Sequence, residues 1–296
     1  MRIGWLHDLP LSDGGGANVT NSIMIAKGRE LGHEIDFITP TEIAENNYEA
    51  LKKYDFLILN NINLFGLEPI SWIVKNCKYI KYEHDYCYCK FRKGNCKPPC
   101  HPAKIFIELF SNSVLNVFFS PLQLNIFKKA FGQTMRDAIC IPAPFEINKW
   151  FPDFNIQQQD AYLYAGVIMH HKGLNHIIDF ADKLKAEGKV FHFAGKAIEK
   201  KLLERIEKNH TYLGEIPHDE MPKLMRKYKN FVINPQMPET FCTAVLEAIA
   251  SGCNIIKFDS SSDIGLESYE MAPDMLMRAG SIAPTEFWHK VMEAVK

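Results

Sequence analysis

Short apolar runs alternate with amphipathic segments along this chain, and this alternation constrains its fold more than any other feature. Strand-like and helix-like segments follow one another without a break from residue 2 to residue 82. Such alternation is typical of a doubly wound parallel sheet whose strands are joined by helices. The predicted elements are strand 2–7, helix 17–31, strand 34–39, helix 42–53, strand 55–60, helix 66–76 and strand 78–82.

A second series of the same kind begins after residue 160. It follows the segment 143–160, which contains Pro and Gln residues and which we interpret as a linker. The 296 residues, 47% of them hydrophobic, suffice for two cores of about 150 residues each. We therefore expect an N-terminal domain at 1–145 with a cysteine-rich loop at 84–101, a second domain at 160–282, and a helix at 283–296 that returns to the first domain.

Two carboxylates, Glu239 and Glu247, lie eight residues apart near the start of a predicted helix. The apolar segment 230–235 predicts a buried strand, so Glu239 falls in the strand-to-helix loop and Glu247 within the helix. Eight helical residues rise by about 12 Å. The two carboxyl groups of a retaining glycosidase lie about 5 Å apart, and those of an inverting one about 6.5–9.5 Å. The spacing therefore disfavours the acid/base pair of a hydrolase.

The same spacing suits the two ends of one extended ligand. The backbone N–H groups of Thr240, Phe241 and Cys242 lie between the carboxylates, where the start of a helix would present them to a phosphate. A nucleoside diphosphate sugar has this layout, because its two phosphates separate the sugar from the ribose. The sequence therefore predicts a sugar-nucleotide site.

The segment 238–252 resembles the Glu-x7-Glu signature of the family 4 retaining glycosyltransferases, which have the GT-B fold. The resemblance implies an α/β architecture of two Rossmann-like domains whose doubly wound parallel sheets face a central cleft. Further segments resemble motifs of this family in the same order: the glycine loop Asp13-Gly14-Gly15-Gly16-Ala17, the strand entry Gly32-His33-Glu34-Ile35, the strand end His84-Asp85, the interdomain segment Pro142 to Pro152, and the phosphate loop with Gly166, Lys172 and Gly173.

The resemblance also implies roles for individual residues. Glu247 would hold the ribose hydroxyls. Glu239 and His84 would contact the transferred sugar and Lys172 would neutralise the departing diphosphate, so these three are the predicted catalytic residues. The predicted donor-binding residues are, besides Glu247, Gly15, Gly16, Gly166, Thr240, Phe241, Cys242 and Thr243.

The chain departs from the family pattern at two positions. The family has an arginine directly after the loop glycine, where this chain has Val167. We expect the neighbouring His170 and His171 to replace that missing phosphate cation in part. The family pattern Phe-Gly is Phe241-Cys242 here, which we expect to narrow the site near the phosphates.

The resemblance implies retaining transfer from a nucleoside diphosphate sugar, with UDP as the first candidate, to a hydroxyl acceptor. In this family the transfer is front-face, so it requires no protein nucleophile, and GT-B enzymes of this kind also lack a bound catalytic metal. Two alternatives stay open. A non-catalytic sugar-nucleotide binder is favoured by Val167, and a nucleotide-sugar epimerase of the same architecture would need a different set of carboxylates and histidines.

The loop 84–101 contains four cysteines, Cys87, Cys89, Cys96 and Cys100. Their spacing is compatible with a structural zinc site. Disulfides and reduced, unligated cysteines are the alternatives, and a reducing compartment disfavours the disulfides.

Basic residues are concentrated between Lys75 and Lys104, where eight Lys and Arg accompany two acidic residues and several aromatic ones. This pattern predicts either a solvated basic loop or a surface for a polyanionic acceptor. The acceptor classes that we consider are a hydroxylated DNA base and a phospholipid-linked glycan. The net charge of −1 predicts no general preference for polyanions.

The first residues become polar too early for a signal peptide, and no apolar run reaches the roughly 20 residues of a membrane span. We therefore expect a cytoplasmic protein. Peripheral association with the inner membrane, which the family resemblance implies for some members, stays open.

Overall fold

The computed structural model describes residues 1–13, 15–89, 103–151 and 156–296, and within them the chain forms two compact units. Unit 1 consists of Met1–Phe145, Gly265–Glu270 and Arg278–Lys296, and unit 2 of Glu146–Ile264 and Met271–Met277.

These units differ from the predicted domain ranges at three places, one of which is the returning segment, which begins at Arg278 rather than at residue 283. Unit 2 begins at Glu146 because a short helix there is tied to it: Lys149 Nζ donates to Asp219 Oδ1 at 2.8 Å, and Trp150 is buried. A second segment, Gly265–Glu270, belongs to unit 1 because Tyr269 donates its hydroxyl hydrogen to the backbone oxygen of Phe119 at 2.6 Å.

Unit 1 is built on a sheet of six parallel strands in the order β2-β1-β3-β4-β5-β6. The central strands are buried on both faces, as the continuous apolar run of β3 illustrates. The chain reverses direction across the sheet between β1 and β3. The strands are β1 (Arg2–Leu6), β2 (Glu34–Ile38), β3 (Phe56–Leu59), β4 (Tyr79–Glu83), β5 (Leu115–Phe118) and β6 (Ala138–Cys140).

The helices that join these strands begin at recognisable sequence signals. Thr39 and Glu42 form a capping box before α2, and the Ser120 hydroxyl accepts from the N–H of Gln123 at the start of α5. The helix predicted at 42–53 is divided, because Asn47 has a φ of 58° and separates α2 from a short 3-10 helix. The helices are α1 (Gly16–Glu30), α2 (Pro40–Asn46), α3 (Leu67–Asn76), α4 (Lys104–Asn112) and α5 (Pro121–Phe131).

Unit 2 is built on a sheet of five parallel strands in the order β11-β10-β7-β8-β9. Its reversal point lies between β7 and β10. The strands are β7 (Gln159–Ala165), β8 (Val190–Ala194), β9 (Thr211–Tyr212), β10 (Tyr228–Ile233) and β11 (Asn254–Lys257), and the helices are α6 (Ile147–Trp150), α7 (Leu174–Ala186), α8 (Lys200–Asn209), α9 (Met221–Met225) and α10 (Thr243–Ala250).

The doubly wound parallel sheets that the sequence predicts are therefore present in both units. Sheets of this kind bind ligands beyond the carboxyl ends of the strands, at the point where the strand order reverses. In unit 1 that point lies beyond β1 and β3, and in unit 2 beyond β7 and β10.

The last helix, α11 (Pro273–Val295), ends on unit 1. Its Trp288 is buried, donates from Nε1 to the backbone oxygen of Met24 at 2.8 Å and packs against Trp5. Gly28 in α1 leaves the space that the Trp288 ring fills. No helix among the described residues is long and apolar enough to cross a membrane.

The structure contradicts part of the predicted basic and aromatic surface between residues 75 and 104. Lys81 is fully buried on the central strand β4, where its Nζ lies 2.7 Å from Glu83 Oε2 and donates to the backbone oxygen of Asn60. Four aromatic residues of the segment are core residues rather than surface residues: Tyr79, Tyr82, Tyr86 and Tyr88. The basic residues Lys90, Arg92, Lys93 and Lys97 lie outside the described residues.

Replacing Gly28 by alanine should destabilise the protein although alanine favours helices. A Cβ at this position would lie 2.3 Å from Trp288 Cζ2 and 2.5 Å from Ile35 Cδ1. We expect the overpacking to outweigh the gain of about 1 kcal/mol in helix propensity and to lower the free energy of unfolding by about 1–3 kcal/mol. The control is Gly16→Ala in the same helix, where a Cβ meets nothing within 4 Å. Equal stability of the two variants in urea denaturation would contradict this packing.

Candidate functional site

A lysine and a glutamate from different loops meet beyond the carboxyl ends of β7 and β10. Lys172 follows β7 and Glu239 follows β10, and Lys172 Nζ donates to Glu239 Oε1 at 2.6 Å. Both side chains are partly buried, with 31% and 21% of their surface exposed. The structure thus brings two of the three predicted catalytic residues together at the reversal point of the second sheet.

Backbone contacts fix the two loops that carry this ion pair. Gly173 has a φ of 74°, and a Cβ there would lie only 2.0 Å from the backbone oxygen of Asn234. The N–H of Gln236 donates to the backbone oxygen of His171 at 2.8 Å, and the N–H of Glu239 donates to that of Asp263 at 3.0 Å. The close approach of the Asn234 backbone to Gly173, together with these hydrogen bonds, therefore determines the positions of the loops that carry Lys172 and Glu239.

Glu247 lies within α10 and is buried, as predicted for a residue inside the helix. Its Oε1 accepts a hydrogen bond from His218 Nε2 at 3.0 Å, and the His218 ring packs edge-on against Trp150. His218 was not predicted. No local sequence signal distinguishes it, because it lies in a loop between Pro217 and Asp219, and the pairing of Asp219 with Lys149 is visible only in the fold.

Cys242 lies between the two carboxylates in the chain and has a left-handed backbone, with a φ of 76° and a ψ of 62°. This conformation costs a residue other than glycine about 1–2 kcal/mol, which explains why the family pattern has glycine here. Burial and the neighbouring Glu239 raise the pKa of the Cys242 thiol to about 12, while Lys172 acts in the opposite direction. Glu247 also raises this pKa, so all three predicted charged groups lie within electrostatic reach of one thiol.

The remaining predicted donor-binding residues of unit 2 lie in the loops beside this group. Thr240 and the buried Phe241 precede α10, and Thr243 is its first residue. Within the part of the chain that the structure describes, no side-chain hydrogen bond caps the start of α10. Gly166 follows β7 and donates its N–H to the backbone oxygen of Ala194 at 3.0 Å.

Val167 occupies the position of the family arginine, and the neighbouring His170 pairs with a carboxylate. Val167 follows Gly166, and its backbone oxygen accepts from the Tyr164 hydroxyl at 2.9 Å. His170 Nδ1 lies 2.6 Å from Glu199 Oε1, which also accepts from the His170 N–H. This carboxylate offsets any positive charge on His170, and these contacts lower the pKa of Glu199.

The predicted residues of unit 1 lie beyond the carboxyl ends of β1 and β4. Gly15 has a φ of 88° and Gly16 begins α1, while Gly14 of the same loop lies outside the described residues. His84 directly follows β4 and is buried, and its Nε2 lies 2.8 Å from Asn60 Nδ2. The ring of His7 lies 6.4 Å from that of His84.

Two of the four predicted zinc ligands lie among the described residues and two lie outside them. Cys96 and Cys100 lie outside them. Cys87 and Cys89 are buried, and the Cys87 thiol donates to Glu83 Oε2 at 3.1 Å. Burial and Glu83 raise the pKa of this thiol, whereas a zinc ligand is a thiolate. Among the described residues no group of three His, Cys, Asp or Glu is arranged to hold a metal ion. The zinc site stays a prediction.

Replacing Gly173 by alanine should destabilise unit 2 more than the same change at Gly188. Both glycines have nearly the same positive φ, 74° and 76°, so both variants incur the cost of a left-handed alanine. Only at Gly173 does the new Cβ collide with a backbone oxygen, whereas it meets nothing at Gly188. We expect an additional loss of about 1–3 kcal/mol at Gly173 in urea denaturation. Equal losses would show that the contact with Asn234 is unimportant.

Acid should destabilise the folded protein through its buried histidines. Burial lowers the pKa of His7 from 6.5 to about 4, and it also lowers that of His84. Between pH 6.5 and 4 the unfolded chain therefore binds protons that the folded chain excludes, and stability falls as the pH falls. Each histidine contributes a slope of about 1.4 kcal/mol per pH unit. His7→Asn should remove one such contribution between pH 6.5 and 5. An unchanged slope in His7→Asn would contradict the assignment.

The comparisons with known proteins concern the family and the fold. Residues 146–263 match the family model described as Glycosyl transferases group 1. This range contains Lys172, Glu239 and Glu247. No curated protein sequence matches the chain.

Several solved structures share the fold over the whole chain. HepE of Anabaena, solved in complex with UDP and glucose, has a TM-score of 0.68 at 14% identity and covers 100% of this chain and 99% of its own. An alpha-glucosyltransferase, solved with UDP-glucose and DNA containing an abasic site, has a TM-score of 0.64 at 13% identity, with both chains covered fully. AviGT4, a glycosyltransferase involved in avilamycin A biosynthesis, has a TM-score of 0.62 at 14% identity and covers 99% and 96%.

The sequence identities are too low to assign the substrates of these proteins to this chain. The structural similarity nevertheless establishes the architecture. The predicted resemblance to glycosyltransferases of the GT-B fold is therefore confirmed, with the fold shared over the whole chain and the family model matched over residues 146–263.

Proposed function

We propose that this chain is a retaining glycosyltransferase that moves a sugar from a UDP-sugar donor to a hydroxyl acceptor. One observation carries the proposal: the ion pair of Lys172 and Glu239 lies at the reversal point of the second sheet, within the residues that match the family model. Parallel sheets bind ligands at this point, and a lysine held there is suited to a diphosphate.

The proposed role of Lys172 is to stabilise the leaving diphosphate. Negative charge develops on that group as its bond to the sugar breaks, and a cation already fixed in place stabilises this charge without reorganising. The start of α10, which no side-chain hydrogen bond caps among the described residues, would add backbone N–H groups aimed at the same phosphates. Glu239 holds the lysine in the structure and is proposed to contact the transferred sugar.

Glu247 is proposed to bind the ribose. A carboxylate accepts hydrogen bonds from both hydroxyls of a diol. His218 already donates to Oε1 of Glu247, which fixes the orientation of the carboxyl group before the donor arrives. His218 is thus proposed to position Glu247.

The proposed reaction is a front-face displacement. The bond from the anomeric carbon to the diphosphate oxygen breaks, the bond from the same carbon to the acceptor oxygen forms on the same face, and the acceptor proton passes to the diphosphate. This order of reaction steps retains the anomeric configuration and needs no protein nucleophile. It also assigns no step to a metal ion, since Lys172 and α10 provide the electrostatic stabilisation. His84 keeps its proposed role as a group that contacts the sugar.

The donor and acceptor classes are supported unequally. UDP is favoured because the solved structures of HepE and the alpha-glucosyltransferase contain UDP or UDP-glucose. DNA is the first acceptor to test, because the alpha-glucosyltransferase was solved with DNA. A phospholipid-linked glycan is the second. The buried position of Lys81 removes one of the eight basic residues that suggested a polyanionic acceptor.

A non-catalytic sugar-nucleotide binder is the second candidate. The observation that favours it is the pairing of His170 with Glu199 beside Val167, because this carboxylate would offset a positive charge on His170 that could otherwise act on the phosphates together with Lys172. Such a binder would hold UDP-glucose without consuming it. An epimerase would convert UDP-glucose in the absence of any acceptor, so analysis of the nucleotide sugars after incubation separates the three functions.

Replacing Lys172 by methionine should lower kcat by about 100- to 1000-fold, because a preorganised donor to the developing charge is lost. Release of UDP from UDP-glucose measures the turnover, first with water and then with DNA that contains a hydroxylated base. The exposed Lys208 provides the matched control Lys208→Met. Wild-type turnover in Lys172→Met would disprove the assignment.

Replacing Glu247 by glutamine should weaken the binding of both UDP and UMP. The amide has one acceptor oxygen instead of two and carries no charge, and loss of a charged hydrogen bond costs about 1.5–3 kcal/mol, or about 10- to 100-fold in Kd. Calorimetry with UDP and with UMP tests this, since both contain the ribose. Equal affinities of Glu247→Gln and the wild type would exclude a ribose contact.

A further inference from the structure

A chain of buried hydrogen bonds in unit 1 ends on His84. Trp5 Nε1 donates to Asn21 Oδ1 at 3.2 Å, and Asn60 Nδ2 donates to the same oxygen at 2.7 Å. The same Asn60 nitrogen lies 2.8 Å from His84 Nε2. These four side chains come from β1, α1 and the ends of β3 and β4, and all are buried. Buried groups at such distances must match donors with acceptors.

Two N–H groups that can only donate determine how the side-chain amides of Asn21 and Asn60 are oriented. An indole N–H only donates, so Asn21 must turn its carbonyl oxygen toward Trp5. The backbone N–H of Asn61 donates to Asn60 Oδ1 at 2.9 Å. Asn60 therefore presents its NH2 group to the other two side chains, with one hydrogen for Asn21 and one for His84.

The tautomer of His84 follows from this orientation. Because the Asn60 NH2 group donates to Nε2, that nitrogen accepts and carries no proton. The ring is then neutral, with its proton on Nδ1. Burial acts in the same direction, because it lowers the pKa of His84, and a positive charge on His7 or Lys81 lowers that pKa further. The edge of the His84 ring also meets Tyr82, at a centroid distance of 4.6 Å.

We propose that Asn60 is a positioning residue that holds His84 as the neutral Nδ1–H tautomer. His84 then contributes to sugar transfer as a hydrogen-bond donor through Nδ1, and its Nε2 is not a general base. The contribution to transfer rests on the proposed function, whereas the tautomer does not.

The tautomer is measured directly in the wild-type protein. Long-range proton–nitrogen NMR of protein labelled with nitrogen-15 in histidine distinguishes Nδ1–H, Nε2–H and the imidazolium, and loss of one spin system in His84→Gln identifies His84. At pH 7 and without any donor substrate we expect the Nδ1–H pattern. An Nε2–H pattern or an imidazolium in the wild type would overturn the proposal, whether or not any variant folds.

Two matched aspartate variants test whether Asn60 controls the tautomer. Asn60→Asp and Asn21→Asp each place a carboxylate in the same buried cluster. In the hydrogen bonds described, Asn21 acts only as an acceptor, a role that aspartate retains. Asn60 acts as a donor to His84, a role that aspartate reverses. We expect the His84 proton to move to Nε2 in Asn60→Asp only. A change in both variants would attribute the tautomer to charge, and a change in neither would remove Asn60 from the mechanism.

An activity measurement separates this inference from the proposed function. We expect Asn60→Asp to lower kcat for UDP-glucose turnover at least tenfold, with the fold verified by circular dichroism. A tautomer change with unaltered kcat would contradict the role of His84 in transfer. A wild-type protein that lacks all turnover but shows the Nδ1–H tautomer would count against the proposed function and leave the positioning role of Asn60 in place.

Discussion

The reversal of strand order between β7 and β10 is the constraint on which the candidate donor site depends. Parallel pairing of these two strands places their carboxyl ends side by side, so the loops that follow them are neighbours although Lys172 and Glu239 are 67 residues apart in sequence. Neither a helix nor a hairpin would bring these two side chains within hydrogen-bond distance. The ion pair is therefore a product of topology, and the glycine contact at Asn234 then fixes its position.

The loops of the second unit combine close backbone contacts with local strain. Backbone oxygens approach Gly173 and Gly195 so closely that a Cβ at either position would lie 2.0 Å from the oxygen. Neither position can therefore hold a side chain. Cys242 does the opposite, because it adopts a left-handed conformation without being glycine. Its thiol is kept neutral by burial and by the carboxylates around it. Because the sulfur beside Lys172 is neutral, it does not form an ion pair with the lysine. Lys172 instead pairs with Glu239 and, on our proposal, with the donor phosphates.

The sequence predicted the parts of the molecule that depend on local pattern. The alternating strands and helices and the position of Glu247 inside a helix followed from periodicity, and they are present in the structure. Contacts between distant loops had no such local signature, so His218 and Asn60 were not predicted. Lys81 was misassigned although its partner Glu83 lies only two residues away, because the burial of their strand depends on the whole sheet. A lysine in an apolar strand resembles a surface residue until the fold shows that Glu83 faces it.

The buried ion pair of Lys81 and Glu83 couples the substitutions that these two positions of β4 can accept. Replacement of either residue alone leaves an uncompensated charge in the core of the first sheet, which costs about 3–5 kcal/mol, whereas replacement of both by apolar residues is often neutral or stabilising. Related sequences should therefore keep both residues or lose both. The Cys87 thiol donates to the same carboxylate, so the loss of Glu83 would also remove the hydrogen-bond acceptor of that buried thiol.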